Sequence, residues 1–230
     1  MPHPATTKSK TKCIFVTGTR RDLVKPDPLI LSGRQLPWVV SANHLGHILH
    51  ESGKMEYDTS IKRATFIDAT VQVREMFKFA SPVEVLAAFK VFCCSFYGCM
   101  LWDLGGEAAS KMFRAWSTAV KLAWEVPRGT RTFLMQQVLA AGLTSARVDI
   151  LARFPAFFRG LVSSPSKEVS VMANLVGQDL RSVTGQNLRY IEEYIGSDPV
   201  LICPRKLKEQ LYNMEMVETP GQDSWRQTWK

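Results

Sequence analysis

No run of hydrophobic residues in this sequence is long enough to cross a bilayer. The most apolar stretch, Val85 to Trp102, is broken by Lys90 and Gly98 and ends at Asp103, short of the ~20 clean apolar residues that a spanning helix needs. The first apolar run, Ile14 to Val16, is far shorter than the apolar segment of a secretory signal, so an intracellular protein, cytoplasmic or nuclear, without membrane association is expected. Cysteine is scarce and odd in number. Cys13, Cys93, Cys94, Cys99 and Cys203 offer no disulfide framework, and three of them sit in an apolar stretch, which predicts free, mostly buried thiols in a reducing compartment. Adjacent Cys93 and Cys94 followed by Cys99 fit no common zinc pattern. Local signatures of catalysis are also missing: there is no GxxxxGK(S/T) phosphate loop, no GxGxxG, no GxSxG elbow and no HExxH helix. No two aspartates are adjacent, and Glu192-Glu193 reads as a solvated helix face. No catalytic residue, metal ligand, cofactor or small-molecule ligand is therefore assigned to this chain.

What is present is an ordinary globular composition, 230 residues with 46% hydrophobic and 22% charged, enough for one unit or two small ones. The net charge of +8 is concentrated at one end. Residues 1–25 carry six basic side chains (Lys8, Lys10, Lys12, Arg20, Arg21, Lys25) against Asp22 alone, a net of +5, whereas the remaining 205 residues carry 23 basic and 20 acidic side chains. A basic arm on a nearly balanced body points to a polyanionic partner.

The fold class expected is mainly α, with a small N-terminal antiparallel β element followed by a multi-helix bundle. Short β-prone runs punctuated by Gly, Pro and Asp occupy Cys13 to Thr17, Leu29 to Leu31, Leu36 to Val40 and His44 to Leu49, with Ser32-Gly33-Arg34 placed to close a hairpin. From Asp58 the spacing turns helical, Phe66, Ala69, Val73, Met76 and Phe77 forming one stripe with Lys62, Arg63, Arg74 and Lys78 largely opposite. Ser81-Pro82 opens a second helix toward Tyr97, apolar nearly all round and hence central. A third runs from Glu107 to Trp124, stopped by Pro127, and a fourth from Thr130 to Gly142. A fifth is capped by Thr144 or Ser145 and reaches Leu161, a sixth follows Ser164-Pro165-Ser166 to Asp179, and a seventh runs from Thr184 to Gly196. Past Pro199 the periodicity fades, and Gln222 to Lys230 reads as a tail.

Three constellations invite sharper readings. The run His44-Leu45-Gly46-His47-Ile48-Leu49-His50 suggests a metal site, but on a single strand His44 and His50 share one face and His47 takes the other. The Leu134 to Phe154 segment could be a helix-turn-helix reading DNA from Thr144, Ser145 and Arg147, but Phe154, Phe157 and Phe158 on the supposed recognition helix ask to be buried. Trp102, Trp116 and Trp124 read as core anchors rather than stacking platforms.

The segment Ser9-Lys10-Thr11-Lys12-Cys13-Ile14-Phe15, followed about thirty residues later by Ser41-Ala42-Asn43-His44-Leu45-Gly46, resembles two late palm motifs of the reverse transcriptases of LINE-type (non-LTR) retrotransposons. Lys62-Arg63-Ala64 and Phe96-Tyr97-Gly98-Cys99-Met100-Leu101-Trp102-Asp103 resemble the thumb. Trp116 to Pro127 and Phe157-Phe158-Arg159-Gly160-Leu161 to Ser166 resemble the region after it, the likeness covering residues 8 to about 195. The resemblance implies a partial palm at 1–52 with a basic arm and a primer-grip-like hairpin, thumb-like helices at 53–105, a post-thumb region at 106–199 and a tail at 200–230.

By the same resemblance, Lys10 would lie near the incoming nucleotide phosphates, and His44, Leu45 and Gly46 would form the turn that cradles the primer strand, Gly46 allowing close backbone approach. Lys8, Lys12, Arg20 and Arg21 would add phosphate contacts, and RNA or an RNA–DNA hybrid is the implied partner. The family's chemistry uses Mg held by clustered carboxylates, which its fingers and palm would supply ahead of residue 8, so this chain is expected to hold none and not to polymerise DNA by itself. Two other functions remain open: a helical protein-interaction module whose basic arm is incidental, and a translated transposon remnant without function.

Overall fold

A computed structural model describes residues 11–16, 24–132, 135 and 143–218. It divides into two compact units, residues 1–61 and 62–230. The architecture is mainly α, with strands confined to the N-terminal part.

The first unit is built on two hairpins. β1 (Ile30–Leu31) pairs antiparallel with β2 (Arg34–Gln35) across Ser32 and Gly33, whose φ values of 51° and 74° are both positive. β3 (Ser41–His44) pairs antiparallel with β4 (His47–His50), the partners running from Ser41 with His50 to His44 with His47. Its two-residue turn, Leu45 and Gly46, also has positive φ at both positions (49° and 78°), the conformation whose twist matches that of paired strands. The His44 to Leu49 run is thus a hairpin and not the single strand its β-prone residues suggest, because Gly46 reverses the chain in its middle. Cys13 makes an isolated parallel bridge to Trp38, its N–H donating to Pro37 O at 3.1 Å and its carbonyl accepting from Val39 N–H at 2.9 Å. That single bridge replaces the longer strands expected at Cys13 to Thr17 and Leu36 to Val40. Thr17 lies outside the described residues.

α1 (Glu56–Met76) contributes its first turn to this unit. In the second unit follow α2 (Pro82–Phe92), a 3-10 turn (Cys99–Leu101), α3 (Glu107–Ala123), α4 (Ala146–Val162), α5 (Lys167–Gln178), α6 (Val183–Ile195) and α7 (Pro204–Glu218). The start signals are explicit. Ser81 accepts from Glu84 N–H while the Glu84 carboxylate accepts from Ser81 N–H at 2.7 Å, a complete capping box with Pro82 at the first helical position. Ser145 and Ser166 cap α4 and α5. α6 is capped by Ser182 and not Thr184, since the Ser182 hydroxyl reaches Gly185 N–H at 2.8 Å. The expected fourth helix, Thr130 to Gly142, falls largely on 133–134 and 136–142, outside the described residues, as does the tail from Gln222.

Phe66 and Val73 of α1, Phe89 of α2, Trp116 of α3, Ile150 and Phe154 of α4, and Ile191 of α6 share one buried core with Trp102. Trp102 and Trp116 are 1% and 2% exposed and Trp124 is half-buried against the same core, so these rings anchor packing. Phe154 and Phe158 are buried too, which accounts for the aromatic face that argued against a recognition helix.

Two elements differ from expectation. α2 ends at Phe92 and not near Tyr97, because Phe96 (φ 41°) and Gly98 (φ 77°) turn the chain back. Burial of Phe96 against Phe66, at a centroid separation of 5.8 Å, stabilises that reversal, and Arg153 of α4 donates to the carbonyls of Ser95 and Cys94 in the turn that follows the helix. α2 is also not central all round: Val85, Ala88 and Phe89 are buried, whereas Val83, Val91 and Phe92 are exposed. Beyond Pro199 the chain forms α7, whose Leu207 and Leu211 are fully buried and pack with α4 and α6 in the core. Each such burial contributes about 1.5–3 kcal/mol. The apolar residues Leu207, Leu211, Tyr212 and Met214 are interspersed with Lys, Glu, Gln and Asn on a helix that is polar on average, so the repeat does not stand out.

Among the described residues, no helix is long and apolar enough to cross a membrane.

Candidate nucleic-acid interface

The sequence placed its candidate contacts on the basic arm and on the turn at residues 44–46. Lys8, Lys10, Arg20 and Arg21 lie outside the described residues. Lys12 is exposed, immediately before the bridged Cys13. His44, Leu45 and Gly46 are together at the tip of the β3–β4 hairpin and all three are exposed, Leu45 to 76%.

What holds that tip in place is a carboxylate the sequence reading did not single out. Asp58, on the first turn of α1, is 1% exposed. Its Oδ1 accepts from Ile48 N–H at 3.0 Å and its Oδ2 faces His47 Nδ1 at 3.2 Å. An acid here is favoured by the unpaired N–H groups and dipole of a helix start, and with the carboxylate as acceptor, Nδ1 of His47 carries the proton. The pair ties β4 to α1. His50 completes the brace: its ring stacks on Tyr57 at 3.9 Å and 13° between planes, and its Nδ1 accepts from Ser52 N–H at 3.1 Å. The only sequence sign of this arrangement was an acid in a first helical turn eleven residues after a histidine, a pattern too common to single out.

The histidines are accordingly structural in part. His44 pairs with His47 across the hairpin, so these two share a face, contrary to the alternation expected of one strand. His47 is buried against Asp58, His50 is half-buried against Tyr57, and His44 is exposed at the tip. No group of three or more His, Cys, Asp or Glu side chains that could hold a metal ion occurs among the described residues, and the Asp58 carboxylate is already taken up by Ile48 and His47. These residues do not fit the Mg site of the polymerase family.

A second cationic feature of this unit is Lys25, whose Nζ lies 5.6 Å from the centroid of Trp38, with Phe15 packed edge-on to the same indole at 6.2 Å. Trp38 is also the backbone bridge partner of Cys13, the residue after Lys12.

No protein family, curated protein or solved structure matches this chain. The likeness to LINE-type reverse transcriptases therefore rests on the residues themselves, and what the geometry adds is physical. A tight turn with a glycine at its apex, exposed and braced from behind, presents backbone and one histidine to solvent at a fixed position. Such a turn can approach a phosphate backbone closely, since Gly46 carries no side chain to hold it off.

Proposed function

We propose that this chain binds RNA or an RNA–DNA hybrid, acting as a late-palm and thumb segment of a LINE-type reverse transcriptase, with the turn at residues 44–46 against the primer strand and Lys8, Lys10, Lys12, Arg20 and Arg21 neutralising neighbouring phosphates. The observation that carries this reading is the exposed Leu45-Gly46 turn braced through Ile48 and His47 by buried Asp58. Basic side chains alone would bind any polyanion; a braced turn supplies position. Anisotropy of a labelled RNA–DNA hybrid tests it. The full chain should bind at low salt, and Leu45→Asp, which puts a negative charge at the tip without touching the core, should weaken binding on the order of ten-fold. Equal affinity for wild type and variant would remove the turn from the interface.

A second reading, a helical protein-interaction module, is favoured by the apolar side chains left exposed around α2: Phe79, Val83, Val91 and Phe92 are 96%, 72%, 70% and 57% exposed. Exposed apolar side chains mark docking surfaces where they are contiguous. Size-exclusion chromatography with light scattering separates the two, because a self-associating face makes the mass rise with concentration in the absence of nucleic acid.

A further inference from the structure

In the second unit, α1, the last turns of α3 and the segment leaving α3 wall a groove of about 760 Å³. Among the described residues its lining combines aliphatic Ile67, Leu122 and Val126 with the cations Arg74, Lys121 and Arg128, against one acid, Glu125. Arg74 and Glu125 pair at 2.9 Å, with Arg74 36% exposed, and both also line a smaller depression of about 160 Å³ that includes Lys78. The pair therefore stands between the two hollows. Lys121 Nζ donates to the Arg128 carbonyl at 2.8 Å, which fixes the segment that leaves the helix.

This lining selects among occupants. Single-stranded nucleic acid is held by aromatic platforms as well as cations, and among the described residues none that lines the larger groove is aromatic. Aliphatic surface flanked by cations, between two helices, suits an amphipathic helix whose apolar side chains enter and whose flanks carry carboxylates. Charge complementarity sets the sign of those flanks. The geometry points to a docking site for an acidic amphipathic helix of a partner protein, seated on Ile67, Leu122 and Val126 with its carboxylates toward Lys121, Arg128 and Arg74. This proposal does not rest on hybrid binding.

The probe is a fluorescein-labelled synthetic peptide of Glu, Ala and Leu with leucines at i, i+3, i+4 and i+7 on one helical face, titrated with the full chain. Its counterpart with Lys in place of Glu is the control. The acidic peptide should bind and the basic one should not. The double variant Lys121→Glu and Arg128→Glu should weaken binding on the order of ten-fold, and Thr118→Trp, which fills the groove from an exposed position on α3, should abolish it with the charges intact. Glu125→Gln should tighten binding about three-fold by releasing Arg74 to the peptide. Equal binding of the two peptides, or unchanged affinity in both the charge-reversed and the Thr118→Trp proteins with far-UV circular dichroism preserved, would overturn the proposal. So would loss of hybrid binding, and not of peptide binding, on charge reversal.

Discussion

His47 Nδ1 lies 3.2 Å from Oδ2 of Asp58, a carboxylate that is 1% exposed and that also accepts from the backbone of Ile48. One buried side chain thereby fixes both a ring and a strand. Asp58→Ala should remove the carboxylate that the Ile48 N–H and the His47 ring face, at about 1–3 kcal/mol for a buried hydrogen bond lost in this way. The expected result is faster hydrogen exchange at the Ile48 amide and a lower urea midpoint. Protection of Ile48 unchanged in the variant would show that the strand does not depend on α1.

The turn itself is strained at a known place. Leu45 has φ 49° beside Gly46 at φ 78°, and a leucine in that left-handed region costs about 1–2 kcal/mol where asparagine costs less. Leu45→Asn should raise hairpin stability by about 1 kcal/mol, whereas Gly46→Ala should lower it. Thermal melts of the two variants moving in the same direction would contradict this account of the turn.

Thiol reactivity separates one cysteine from three. Burial pushes Cys94 up to about 12 and Cys99 up to about 11, and burial raises Cys93 as well. Exposed Cys203 is held below the ordinary thiol value by the backbone N–H groups of Arg205 and Lys206 at the start of α7. A lowered value means more thiolate at neutral pH, and thiolate is the nucleophile. Iodoacetamide labelling followed by mass spectrometry should modify Cys203 well before Cys93, Cys94 or Cys99, with a rate that levels off at lower pH than for a free thiol. Equal labelling of Cys94 and Cys203 in the folded protein would refute the burial described for Cys94.

Asn187 of α6 closes the second unit around the segment after the 3-10 turn. Its Oδ1 accepts from Leu104 N–H and its Nδ2 donates to the Trp102 carbonyl, both at 2.8 Å, and the side chain is 1% exposed. Asn187→Leu removes the side-chain partner of both backbone groups. A loss of about 2–4 kcal/mol in denaturant unfolding is expected, and a loss under 0.5 kcal/mol would mean that the segment relaxes to water.

The helices were legible wherever a hydroxyl cap preceded a dense apolar repeat: Ser81, Ser145 and Ser166 each start a helix at the anticipated place, and Gly196, with φ 73°, ends α6. Sparse patterns were not legible. α7 keeps two fully buried leucines on a helix that is polar on average, and α2 gives way to a turn whose Cys94 and Ser95 carbonyls are held by Arg153, far along the chain. At the candidate interface, the β-prone residues from His44 to Leu49 suggested one strand, the turn at residues 44–46 was expected from the resemblance alone, and its brace was not expected. The contact between His47 and Asp58 joins two elements whose local patterns say nothing of each other.

The central claim is that the basic arm and the hairpin turn engage a nucleic-acid backbone. The most direct test measures the affinity of the full chain for an RNA–DNA hybrid across a salt series, for wild type and for a protein in which Lys8, Lys10 and Lys12 are alanine. Each neutralised phosphate contributes a slope of about −0.9 to the logarithmic salt dependence, so a steep wild-type slope that flattens by about 2 to 3 in the variant is predicted. Binding that is absent at low salt, or a slope that the three substitutions leave unchanged, would contradict the account.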